Sequence, residues 1–73
     1  MKTYLKVTFH SEGAKPSAVQ KALAGLGFRP VKGAYDFAYD WPGKASVEDV
    51  LRFGDKIHAE LSGLDCMFEM ETA

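Results

Sequence analysis

The chain has one cysteine, Cys66, in 73 residues. A single thiol excludes an intrachain disulfide and suits a reducing compartment. An excess of either charge is also missing: nine Lys and Arg face ten Asp and Glu, for a net charge of −1. A general affinity for nucleic acid or an anionic membrane needs a basic excess or a strong basic patch, and the overall balance supplies no such excess. No apolar run approaches the ~20 residues of a membrane span. The opening MKTYLKVTFH lacks the long apolar segment of a secretory signal. These absences lead us to expect a cytoplasmic, non-membrane protein.

Low-complexity tracts and interdomain linkers are missing too, so residues 1–73 read as one domain. A chain this short buries only ~60% of its unfolded surface. Small domains often compensate with disulfides, a metal or a partner chain. With one cysteine, a well-packed core or self-association must serve instead.

What is present is periodic. In TYLKVTFH, residues 3–10, Leu5, Val7 and Phe9 alternate with Tyr4, Lys6, Thr8 and His10, the pattern of a half-buried strand. Gly13 and Pro16 interrupt it. In SAVQKALAGLG, Ser17 and Gln20 have capping-box spacing, Val19, Ala22, Leu23 and Leu26 share one helical face, and Gly27 is a left-handed stop. FRPVK, residues 28–32, reads as a short strand, and Pro30 places it at a sheet edge. Lys32-Gly33 turns into AYDFAYDW, residues 34–41. Ser46 and Asp49 open a second helix, whose apolar stripe is Val47, Val50, Leu51, Gly54, Ile57 and Leu61; Gly63 ends it. DCMFEME, residues 65–71, is a last half-buried strand.

The order β-α-β-β-α-β with two right-handed crossovers predicts an α+β, ferredoxin-like two-layer sandwich. Its antiparallel sheet has the order 4-1-3-2, and two helices cover one face. On the central third strand, Tyr35, Phe37, Tyr39 and Trp41 oppose Asp36, Ala38 and Asp40. Burying two carboxylates costs several kcal/mol each unless they are paired, whereas burying the rings gains ~25 cal/mol per Å². The rings are therefore expected inside. The open face then carries Tyr4, Lys6, Thr8 and His10, Asp36, Ala38 and Asp40, and Met67, Glu69 and Glu71. Lys6 lies between two acidic strands, and Tyr4, Ala38 and Met67 thread apolar surface through the charges.

Chemistry is harder to find. Lys32-Gly33 followed by Tyr35, Phe37 and Tyr39, with Tyr4 on strand one, resembles the third and first strands of the RNA-recognition motif. That resemblance implies single-strand stacking on the open face. Ala34 is an extra residue, Asp36 falls on an inward position, and the burial argument hides the rings. Nucleic acid is accordingly disfavoured. Asp36 and Asp40 lie ~13 Å apart along a strand and do not share an ion unaided. The loop HSEGAKP lacks the Cys-x-x-Cys of the metal carriers with this topology, and also the anion-binding arginine of the acylphosphatases. Cys66 alternates with Phe68 and Met70 and is read as a core thiol. No metal, cofactor or catalytic set is expected.

Two readings follow. The first is a non-enzymatic interaction or regulatory module that forms a homodimer or higher oligomer through its open face (Tyr4, Lys6, Thr8, Asp36, Ala38, Asp40, Met67, Glu69) or an edge strand. The second is a small-anion or metabolite binder built from His10, Ser11, Gly13, Lys15 and Ser17, beside the first helix N-terminus.

Overall fold

Strand alternation and two helical stripes produce the predicted sandwich. A computed structural model describes residues 1–73. Its elements are β1 (Lys2–Phe9), α1 (Pro16–Gly25), β2 (Arg29–Pro30), β3 (Phe37–Asp40), α2 (Val47–Leu61) and β4 (Cys66–Thr72). The sheet runs β2-β3-β1-β4 with every pair antiparallel, the expected order read from the other edge. Both helices pack on the face that carries Leu5, Val7 and Phe37, where Val19, Leu23, Phe28, Ile57 and Leu61 complete the core.

Local chemistry sets the helix ends. α1 starts earlier than the Ser17 cap would place it: Lys15 is the cap residue, without a side-chain bond, and Pro16 opens the first turn. Proline fits there because its φ is preset and it has no N–H to leave unpaired. At the other end Gly27 adopts φ 100°. Its N–H bonds to Ala24 O and the Phe28 N–H to Leu23 O, both at 3.0 Å, the paired bonds of a Schellman stop. α2 has the expected capping box: the Asp49 N–H donates to Ser46 Oγ at 3.1 Å, and the Ser46 N–H donates to Asp49 Oδ2 at 2.9 Å.

Two expectations about packing are corrected. The first concerns the α2 stripe. Val47 and Leu51 are 76% and 62% exposed. The helix is rotated by Phe53, whose ring stacks on Phe28 at 5.4 Å and meets Tyr39 at 4.5 Å. Burying that ring outweighs burying two smaller side chains. Gly54 faces β4, where a Cβ would stand 3.2 Å from Met70 Cε.

The second concerns the aromatic strand. Phe37 and Tyr39 point to the helices and Trp41 packs beside them, but Tyr35 lies on the open face, 5.2 Å from the Tyr4 ring. The cause is a bulge-like offset at Asp36. Leu5 is in register with Phe37, yet Leu5 O accepts the Asp36 N–H at 2.8 Å. The Asp36 carboxylate accepts the Val7 N–H at 2.8 Å, where a backbone carbonyl would otherwise serve. One extra residue reverses the faces that precede it. β3 accordingly begins at Phe37 rather than Ala34.

Thr3 has no exposed surface. Trp41 Nε1 donates to its Oγ1 at 2.8 Å, and the Thr3 and Thr72 hydroxyls share a bond of 2.8 Å. This polar bridge ties β3 and β4 across β1.

Candidate functional site

The open sheet face is only partly available. Ala38 sits in register between Tyr4 and Arg29 and has no exposed surface, so it offers nothing to a partner and the apolar thread is broken there. Asp40 is occupied: Arg29 Nε lies 3.1 Å and Lys2 Nζ 3.6 Å from its carboxylate oxygens. The Arg29 hydrogen bond chiefly, and then the charges of Arg29 and Lys2, hold its pKa below the usual carboxylate value. Asp36 is turned to the β1 backbone. Lys6 is in register with Glu69 but closes no ion pair. Tyr35 Oη donates to Glu71, and that bond, with the nearby carboxylate charge, raises the phenol pKa. Thr8 and Met67 face each other at the far end, and Met67 is exposed.

The loop after β1 is pinned to the other end of the chain. Gly13 N–H bonds to His10 O and Ala14 N–H to Leu64 O, each at 3.1 Å. Pro16 has no N–H, and the Ala18 and Val19 amides both bond to Lys15 O. A Cβ on Gly13 would meet Asp65 O at 2.6 Å, so glycine is needed for this close approach. His10, Ser11, Lys15 and Ser17 are exposed around that junction. The amides that would cradle an anion are largely spent within the fold.

His58, Asp65 and Cys66 line one hollow of about 190 Å³, a grouping the sequence spacing hides. No hydrogen bond joins any two of them. Burial first, and the Asp65 charge second, push the Cys66 thiol pKa up. A protonated thiol is a poor nucleophile. No three His, Cys, Asp or Glu side chains converge as a metal site, and no helix is long and apolar enough to cross a membrane.

The sheet edges differ sharply. β2 is two residues long and contains Pro30, which blunts that edge. β4 is seven residues, CMFEMET, with no proline, lysine or bulge, and it pairs with β1 in continuous register from Thr72 to Cys66. Lys2 and Ala73 exchange both backbone bonds at 2.9 Å. Antiparallel pairs alternate, so Glu71, Glu69 and Met67 bond inward to β1. The N–H and C=O groups of Cys66, Phe68, Met70 and Thr72 then point outward, unpaired.

α2 runs along this edge. Val47 lies near Thr72, Gly54 against Met70, and His58 beside Cys66 and Phe68. At ~100° per residue, Leu51 lies nearly opposite Phe53 on the helix. Phe53 faces the core, and Leu51 shares the exposed face of α2 with Val47 and His58. The chain matches no protein-family model, no curated protein and no solved structure.

Proposed function

We propose that this chain is a small non-enzymatic interaction module that self-associates by pairing the β4 edges of two copies. The unblunted β4 edge carries this reading. Four residues present free backbone donors and acceptors there, the array that recruits another strand. Exposed Val47 and Leu51 stand alongside to be covered by the second copy's α2.

Charge sets the register. In an antiparallel pair centred on Phe68, Met67 faces Glu69 of the copy, so the central carboxylates are not opposed, and Asp65, just before the strand, is the one acid that meets Glu71 of the copy. Centring on Met70 would set Glu69 against Glu71 and is disfavoured. A dimer also supplies the additional buried surface that a chain of 73 residues lacks. The edge is preferred to the open face because Ala38 is covered and Asp40 is already paired. The lone cysteine fits work in the cytoplasm.

Light scattering on a sizing column tests the reading. The mass should rise toward twice that of the chain as concentration increases. Leu51→Lys, at an exposed position, should weaken association without lowering monomer stability. A monomer throughout the millimolar range refutes it.

A further inference from the structure

Away from the β4 edge, the C-terminal end of α1 and the middle of α2 leave a cleft of about 440 Å³, the largest in the molecule. Its floor is aromatic. Tyr39, Trp41 and Phe53 stand with ring centroids 4.5–5.2 Å apart. Gly25 forms one wall, and a Cβ there would meet nothing within 4 Å. Arg52 and Lys56, one turn apart on α2, form the opposite rim.

The charges around the floor select the ligand. The Asp49 carboxylate also lines the cleft; Arg52 gives it one N–H at 3.0 Å and keeps its others, while Lys56 closes no ion pair, so two cations stand against one anion. The rim is therefore net positive. The negative end of α1 is muted, since Leu23 O and Ala24 O are taken by Phe28 and Gly27. An ammonium ligand does not fit. A cation needs ring faces arranged around it, and these three rings pack against one another beneath two cationic side chains. A flat ring bearing an anionic group satisfies both floor and rim, and the volume lies within the ~300–1,000 Å³ of small-molecule sites.

We propose that this cleft binds a small planar aromatic carboxylate, with its ring against Trp41 and Phe53 and its carboxylate toward Lys56 and Arg52. The site is independent of the β4 edge, because it opens on the side of α2 that faces α1.

Trp41 is the sole tryptophan, so one indole N–H resonance reports the floor in ¹⁵N–¹H spectra of the full chain. Titration with 1-naphthoate should move that resonance and the Gly25 and Lys56 amides saturably, with a Kd below about 1 mM. Neutral 1-naphthalenemethanol should bind about fivefold more weakly, matching the worth of an exposed charge contact. Inorganic phosphate should leave the indole unmoved. Gly25→Leu should fill the cleft and abolish binding. Lys56→Gln, at an exposed position that keeps the fold, should weaken naphthoate about fivefold and leave the alcohol unchanged. The proposal is overturned by absence of saturation, by equal affinity for acid and alcohol, or by a Lys56→Gln chain that binds naphthoate like the parent. It is equally overturned by a folded Gly25→Leu chain that still binds. Should Gly25→Leu not fold, the Lys56→Gln comparison decides.

Discussion

Asp36 stands in for a backbone acceptor, and removing its carboxylate should expose that role. In Asp36→Ala the Val7 N–H loses the oxygen that accepts it at 2.8 Å. Val7 is only 8% exposed, so water is poorly placed to replace that oxygen. A buried donor left unpaired costs about 1–3 kcal/mol. Asp36 makes no ion pair whose loss would add to this. Its own N–H keeps its bond to Leu5 O, so the offset itself persists. We expect a loss of about 1–2 kcal/mol. For a domain of this size each kcal/mol moves Tm by about 4–8 °C, so the midpoint should fall by about 5–15 °C. Asp36→Asn keeps an oxygen but loses the charge-assisted half of the bond, and should cost less than about 1 kcal/mol. Urea unfolding with unchanged m-values measures both, and amide exchange at Val7 locates the effect. An Asp36→Ala chain within about 0.3 kcal/mol of the parent, against the about 1–3 kcal/mol of an orphaned donor, would refute the reasoning, as would Ala and Asn variants of equal stability.

Gly27→Ala meets both a φ of 100° and a ring atom of Tyr39 at 2.9 Å, and should cost about 2–3 kcal/mol in thermal unfolding. Gly25→Ala lies in the helix with open space around it and should stabilise by about 0.5–1 kcal/mol. Thr3→Val strips the acceptor from Trp41 and the partner from Thr72. It should cost about 1–3 kcal/mol and change the near-ultraviolet dichroism of the single indole, while Thr3→Ser should retain most of both. Asp49 is held below its usual pKa by the Ser46 N–H first, then the Ser46 hydroxyl and Arg52; Asp40 is shifted in the same direction by Arg29 and Lys2. Depressed folded pKa values stabilise above the unfolded value near about 4. That stability is lost as pH falls through the folded values, so acid unfolding should begin below about pH 4 and be blunted in Ser46→Ala.

The fold was legible because its signals are local. Leu5 and Val7 alternate with Tyr4 and Lys6, Ser46 and Asp49 form their box within four residues, and Pro30 marks its own edge. The helix stop at Gly27 is likewise written into one turn of chain. What escaped depends on contacts between distant segments. Asp36 reaches a backbone N–H 29 residues away, and nothing in AYDFAYDW distinguishes that carboxylate from Asp40. A strict period-two reading therefore sent Tyr35 to the wrong face. Phe53 turns α2 because Phe28 and Tyr39 wait beneath it, a fact invisible in the heptad spacing of Val47 and Leu51. Thr3 looks like an ordinary strand residue until Trp41 and Thr72 converge on it. Pro16 is the exception: its capacity to open a helix was present in the sequence, beside the competing Ser17 spacing.

The same division holds for the sites. Alternation sets Tyr4, Lys6, Met67 and Glu69 on one face of the sheet, but it does not show that Ala38, expected to offer apolar surface there, is fully covered. The pairing of the open-face charges was not legible: Arg29 and Lys2 share Asp40, Asp36 turns to the Val7 N–H, and Lys6 closes no ion pair. The sequence left the open face and an edge strand as alternative interfaces, and the proposal of β4 rests on counting which backbone groups β1 already holds. The aromatic cleft draws on residues 25, 39, 41, 52, 53 and 56, and no short window of sequence contains it.

Hydrogen exchange along β4, followed as a function of protein concentration, tests the central claim most directly. Pairing of two β4 edges predicts that the outward amides of Phe68 and Met70 slow as concentration rises, while those of Glu69 and Glu71, already bonded to β1, do not change. Outward amides that exchange at one rate across the whole range would contradict the account, and so would association that protects other surfaces instead.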